Sequence, residues 1–186
     1  MTTTEDEPIQ LDPARLDRLA RGEVFVDTEP VPGFKVPRAI VWAVIDAPPE
    51  RVWPLIDEVN RYERIMSGVK RATELSRDGD VVRAKVTVGL PFPLPDLTSV
   101  TEAHHSVVPG ERWVRRWRLL EGDYQENTGS WTLVPFEEDP ARTLVRYRLL
   151  AVPRIPIPGR IQRLTQSRAF PRLMEQLREL AGASSG

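Results

Sequence analysis

His104 and His105 are the only histidines in the chain, and Glu102 stands two residues before the first of them. In an extended segment, residues two apart share a face, so Glu102 and His104 could serve as an acid/base pair. Adjacent His104 and His105 point to opposite faces and cannot ligate one metal. Arg115 lies midway between Trp113 and Trp117 at strand spacing. A guanidinium there could anchor a ligand's carbonyl or carboxylate. It could equally snorkel to a rim, stack on tryptophan or pair with an internal carboxylate. The Tyr147 hydroxyl could meet a ligand or a backbone partner. None of these groups belongs to a recognisable catalytic pattern, and GxGxxG, GxxxxGK[ST] and HExxH are all missing. No catalytic residue, metal site or cofactor is assigned.

The totals narrow the field further. The 186 residues suit one domain. With 26 Lys and Arg against 27 Asp and Glu there is no basic excess of the kind nucleic acid demands. The absence of cysteine removes disulfides, thiolate metal sites and a thiol nucleophile together. The acidic opening MTTTEDEPIQ is no secretory signal, and no apolar run is long enough to span a bilayer. A cytoplasmic location is the expectation.

The elements that must position these groups follow from periodicity. Residues 1–10 are expected to be disordered. LDPARLDRLARGE reads as a short helix, with Asp12 as cap, Pro13 at its first position and Gly22 ending it. An extended arm leads to the strand RAIVWAVIDA. Pro48 and Pro49 then open a helix, and a second short helix, RYERIM, follows. After Gly68 the period becomes two, giving six strands at 68–77, 80–90, 97–108, 111–120, 126–136 and 142–152. A final helix runs over about 159–181, and Pro171 should kink or split it. The domain reading is an N-terminal extension 1–37, a main domain 38–181 and a disordered tail 182–186.

Alternation assigns faces. Val145, Tyr147 and Leu149 share the inner side, as do Trp131 with Leu133 and Trp113 with Arg115 and Trp117. Arg116, Arg118, Arg146 and Arg148 are expected on an outer face that looks at water. Alternate turns of a meander fall at opposite ends of its sheet. SRDGD, VPGE and EEDPA are tight and polar. LPFPLPDL, LLEGDYQEN and VPRIPIPG are longer, and two of them are rich in Pro and apolar residues. Phe92, Leu94, Ile155 and Ile157 should therefore gather at one end, as a pocket entrance, a membrane- or protein-docking surface, or a plug for the core.

Two stretches carry a family resemblance. VWAVIDAPPERVWPLIDEVNRYERIMSGVKRATEL, with its strand, Ala-Pro turn and Val-Trp helix, resembles the opening of the START-like helix-grip (SRPBCC) superfamily. That group includes polyketide cyclases and coenzyme Q-binding START-type domains. NTGSWTLVPFEEDPARTLVRYRLLAVPRIPIPG resembles its later Trp strand, hairpin and Pro-rich entry to the last helix. The resemblance spans about residues 38–181. It implies an α+β fold: a curved seven-stranded antiparallel sheet wrapped around a long C-terminal helix, with two short helices after the first strand. It also implies a deep apolar cavity for lipids, isoprenoid quinones, polyketides or sterol-like molecules.

The reading that results is a carrier of a small hydrophobic ligand. Its expected contacts are Phe92, Leu94, Trp113, Arg115, Trp117, Trp131, Tyr147 and Leu164. Peripheral membrane contact is an additional expectation; nucleic acid and metal are not expected. The alternatives are a cyclase or aromatase using Glu102, His104, Arg115 and Tyr147, or an interaction module docking through 91–95 and 153–158.

Overall fold

The strand Arg38–Ile45 (β2) is buried along nearly its whole length. It ends where Pro48 and Pro49 force the chain out of the sheet and into helix α2, Pro49–Asp57. Pro54 fits inside this short helix. The helix buries Pro49, Val52, Leu55 and Ile56. A single 3₁₀ turn, Val59–Arg61, joins α2 to α3, Tyr62–Ile65. The Tyr62 hydroxyl donates to the Ile56 carbonyl and locks the two helices together. The computed structural model describes residues 9–183; of the disorder expected for 1–10 and 182–186, the parts at 1–8 and 184–186 lie outside the described residues, while residues 182 and 183 belong to the last helix.

The six strands of the meander appear where the alternation placed them. They are β3 (Val69–Asp78), β4 (Val81–Val88), β5 (Leu97–Val108), β6 (Arg112–Gly122), β7 (Tyr124–Phe136) and β8 (Asp139–Pro153). The sheet nevertheless has eight strands rather than seven. Phe25–Glu29 (β1) pairs antiparallel with β2, giving the order β1-β2-β8-β7-β6-β5-β4-β3 in an open sheet. The expected extended arm is thus an edge strand.

Helix α1 (Pro13–Ala20) is capped by Asp12, whose carboxylate accepts from the Arg15 amide. It lies on the outer face, where Leu19 is fully buried against Trp42, Val44, Phe136 and Leu144. Ile9 packs beside the same cluster. The outer face is therefore only partly open to water. Arg146 and Arg148, expected to be solvated, are buried. The guanidinium of Arg146 stands over Trp42, and Arg148 bonds Glu29 of β1 at 3.1 Å. The added strand and helix explain the difference.

The last helix is split as Pro171 requires. α4 (Gly159–Leu164) and α5 (Phe170–Ala183) are separated by a π-helical segment, Thr165–Ala169. Pro171 has no amide proton to close the preceding turn. Phe170, Leu173, Met174 and Leu177 of α5 join α2, β2, β7 and β8 in the main core. Two polar ties fix the helix: Gln176 accepts from the Ser67 amide at 3.1 Å, and Arg178 donates to the Val44 carbonyl at 3.0 Å.

Candidate ligand-binding cavity

Between the inner face of the sheet and the start of α5 the core is hollow, with a cavity of about 580 Å³. The small side chains Ala39 and Ala84 help keep it open. At one end it reaches Leu90, Pro91, Tyr124, Pro153 and Ile157, so the three long loops do converge around it. Deeper in, α2 fills the space under the sheet and the core becomes solid.

Five of the expected contacts line this space: Arg115, Trp117, Trp131, Tyr147 and Leu164. Three do not. Trp113 faces inward but lies two residues nearer the β5–β6 hairpin, packed in the solid core. Phe92 and Pro93 occupy the central positions of a turn closed by the Leu94 amide on the Pro91 carbonyl, which leaves Phe92 97% exposed. Leu94 is half-buried outside the lining.

The aromatic wall has a defined construction. Tyr147 stacks on Trp131 with ring centres 4.1 Å apart and on Trp117 at 6.1 Å, and meets Phe170 edge-on. Trp117 can lie across β7 only because residue 129 is glycine: a Cβ there would come within 2.4 Å of the indole. The indole N–H donates to Asn127 Oδ1 at 3.0 Å, and Asn127 in turn donates to the Ser99 hydroxyl at 3.3 Å. These polar partners sit in the lining, on a wall that would otherwise be apolar. Burial raises the pKa of the Tyr147 phenol, so the group stays neutral. Among the described residues no hydrogen bond holds that hydroxyl.

Arg115 is 4% exposed and lies at the inner end of the lining. Its Nη1 is 2.8 Å from His105 Nε2. His105 Nδ1 in turn faces Asp57 Oδ1 at 3.4 Å, and the ring meets Trp53 edge-on. Burial first, and the Arg115 charge second, hold the His105 pKa down at about 4. The imidazole is therefore neutral near pH 7. Nε2 accepts from Arg115, which leaves the ring proton on Nδ1, toward Asp57. The sequence offered a signal for this contact. A hairpin centred on Gly110 pairs residues 105 and 115, and the structure has that register.

Glu102 and His104 are on the other side of the sheet. Glu102 bonds Arg83 at 2.9 Å and Arg118 at 2.7 Å, which pull its pKa down to about 2. His104 is exposed beside it. The pair is an outer-face ion cluster and not part of the cavity. Among the described residues no group of His, Cys, Asp and Glu could hold a metal.

The family model for polyketide cyclase / dehydrase and lipid transport proteins matches residues 45–178. The chain belongs to this family. Solved structures agree on the START-like fold. The STAR-related lipid transfer protein of Xanthomonas axonopodis is 17% identical, with a TM-score of 0.73 over 86% of this chain and 93% of that one. Human StAR-related lipid transfer protein 5 is 10% identical, with a TM-score of 0.76 over 93% and 97%. The ZhuI aromatase/cyclase of a Streptomyces species is 15% identical, with a TM-score of 0.59 over 79% and 92%. No curated protein matches the chain. The cavity of this family member contains the Trp117–Tyr147–Trp131 stack and the His105-held Arg115.

Proposed function

We propose that the protein binds a small hydrophobic ligand in the cavity and carries it without chemistry. The observation that carries this reading is the 580 Å³ hollow itself, walled by aromatic and aliphatic side chains and reaching the loop end of the sheet. A packed domain does not keep such a space without cost, because the atoms around a void lose their contacts. A ligand restores them, and each Å² of apolar surface it buries is worth roughly 25 cal/mol before the costs of association. Lipids, isoprenoid quinones and polyketide-like chains all have the required chemistry. The names of the similar lipid transfer proteins support the same reading.

A cyclase or aromatase reading keeps Arg115 and Tyr147 but loses Glu102 and His104 to the outer face. His105 is buried, neutral and engaged, so it is poorly suited to shuttle protons at neutral pH. The carrier reading therefore stands first. Peripheral contact with a membrane is part of it, favoured by the fully exposed Phe92 beside the cavity mouth.

The test is native mass spectrometry of the purified protein, with solvent extraction of what co-purifies, followed by Nile red titration of the stripped protein. A discrete hydrophobic adduct, or saturable Nile red binding, is expected. An empty protein that also fails to take up Nile red would refute the carrier function.

A further inference from the structure

Arg115 presents a problem of charge. It is buried, and its one hydrogen-bonding partner among the described residues is a neutral imidazole. No described carboxylate lies within ion-pair distance of it. The nearest acid in the chain of contacts, Asp57, stands behind His105 and is already bonded to Arg77 at 3.0 Å. Arg77 takes Glu74 as well, at 2.8 Å. Both acids of the cluster are thus committed to Arg77, and the positive charge of Arg115 is left facing the hollow. A buried cation without a counter-ion is costly, and that cost is relieved when an anion arrives.

The surroundings specify what kind of anion. His105 occupies Nη1, which leaves Nε and Nη2 for another partner, and that pair of donors suits the two oxygens of a carboxylate. Arg115 is at the inner end, beyond Trp117. From there toward the mouth the walls include Ala84, Val86, the aromatic stack and Leu173, with Thr101 and Asn127 between them, and the lining also holds Arg168 and Arg172, which lie on the surface, whereas Arg115 is buried. A ligand that satisfies the arginine must enter acid first and lay an apolar body along these walls.

We infer that the cavity selects an acidic amphiphile, an apolar body with one terminal carboxylate, and that Arg115, oriented by His105, binds that carboxylate. The inference rests on the carrier reading and names its ligand class. Arg115 is a binding residue here, and His105 is a positioning residue.

The experiment compares decanoate with decan-1-ol, which share a chain and differ in the head. Both compete with Nile red on the stripped wild-type protein at pH 7.5. Decanoate should bind at least about tenfold more tightly, the usual worth of a charge-assisted hydrogen-bonded pair. Arg115→Met should erase the difference while Nile red still binds, and Arg115→Lys should restore part of it. Equal affinity for acid and alcohol in the wild type, with Nile red bound, overturns the carboxylate anchor and leaves the carrier reading intact. Failure of all three probes to bind overturns the carrier reading and the anchor with it. The wild-type comparison decides the matter even if the Met variant does not fold.

Discussion

His105 is buried, and its charged neighbours pull its protonation in both directions. Arg115 and Arg77 disfavour the imidazolium, Asp57 and Asp80 favour it, and burial outweighs both acids, leaving a pKa of about 4. An unfolded histidine titrates near 6.5. Between these values the unfolded chain holds a proton that the folded chain does not, so this group makes stability fall as the pH drops from about 6.5 to about 4. His105→Gln keeps an acceptor for Arg115 and removes the titration. The wild-type urea midpoint should drop more steeply than the variant's across that window, and equal slopes would show that the ring is not buried in its neutral form. The same residue marks the limit of the sequence reading. Arg115 was recognisable as an inward cation between two tryptophans, yet its partner depends on hairpin register, which alternation alone does not fix. Whether Glu102 faced the hollow or the solvent was likewise undetermined by its spacing to His104. The partners that decide it, Arg83 and Arg118, come from neighbouring strands.

Among the elements, the six meander strands were legible because period-two alternation and turn residues agree along nearly ninety residues. β1 was not, since FVDTE is five residues long, lies between polar and Pro-rich segments, and becomes a strand only by pairing with β2. α1 was legible from its cap, but its destination was not. Its apolar side finds Trp42, Val44, Phe136 and Leu144, which belong to strands far away in sequence. That packing makes the N-terminal elements part of the stability of the sheet. Leu19→Ala should cost about 2–5 kcal/mol, seen as a fall in thermal midpoint of at least about 4 °C. Nile red binding should be unchanged below the transition, because Leu19 is across the sheet from the cavity. A loss below about 0.5 kcal/mol would mean that α1 merely rests on the outer face.

At the scale of the whole molecule, charge is distributed unevenly about the mouth. The chain as a whole has a net charge of −1, yet residues 153–174 contain Arg154, Arg160, Arg163, Arg168 and Arg172 and no acid. This segment forms the loop and helix beside the cavity entrance, where Leu164 and Ile157 belong to the lining and Phe92 projects from the facing loop. No helix among the described residues is long and apolar enough to cross a membrane; the peripheral contact proposed above is assigned to this end on its exposed Phe92 and its arginines. An exposed aromatic ring inserts at the interface, while each arginine close to an anionic surface adds about 1 kcal/mol. Such an arrangement would bring the mouth against the bilayer and let an amphiphile enter without crossing water. The protein should therefore co-sediment with vesicles containing phosphatidylglycerol and much less with pure phosphatidylcholine, and the difference should shrink as salt is raised. Phe92→Ser should weaken binding to the anionic vesicles several-fold, and Arg160→Glu with Arg163→Glu should nearly abolish it, while Nile red uptake in free solution stays as it was. Equal sedimentation with the two vesicle types would remove the charge from the argument. Wild-type binding by both variants would remove this end of the molecule from it, and ligand exchange would then have to proceed through solution.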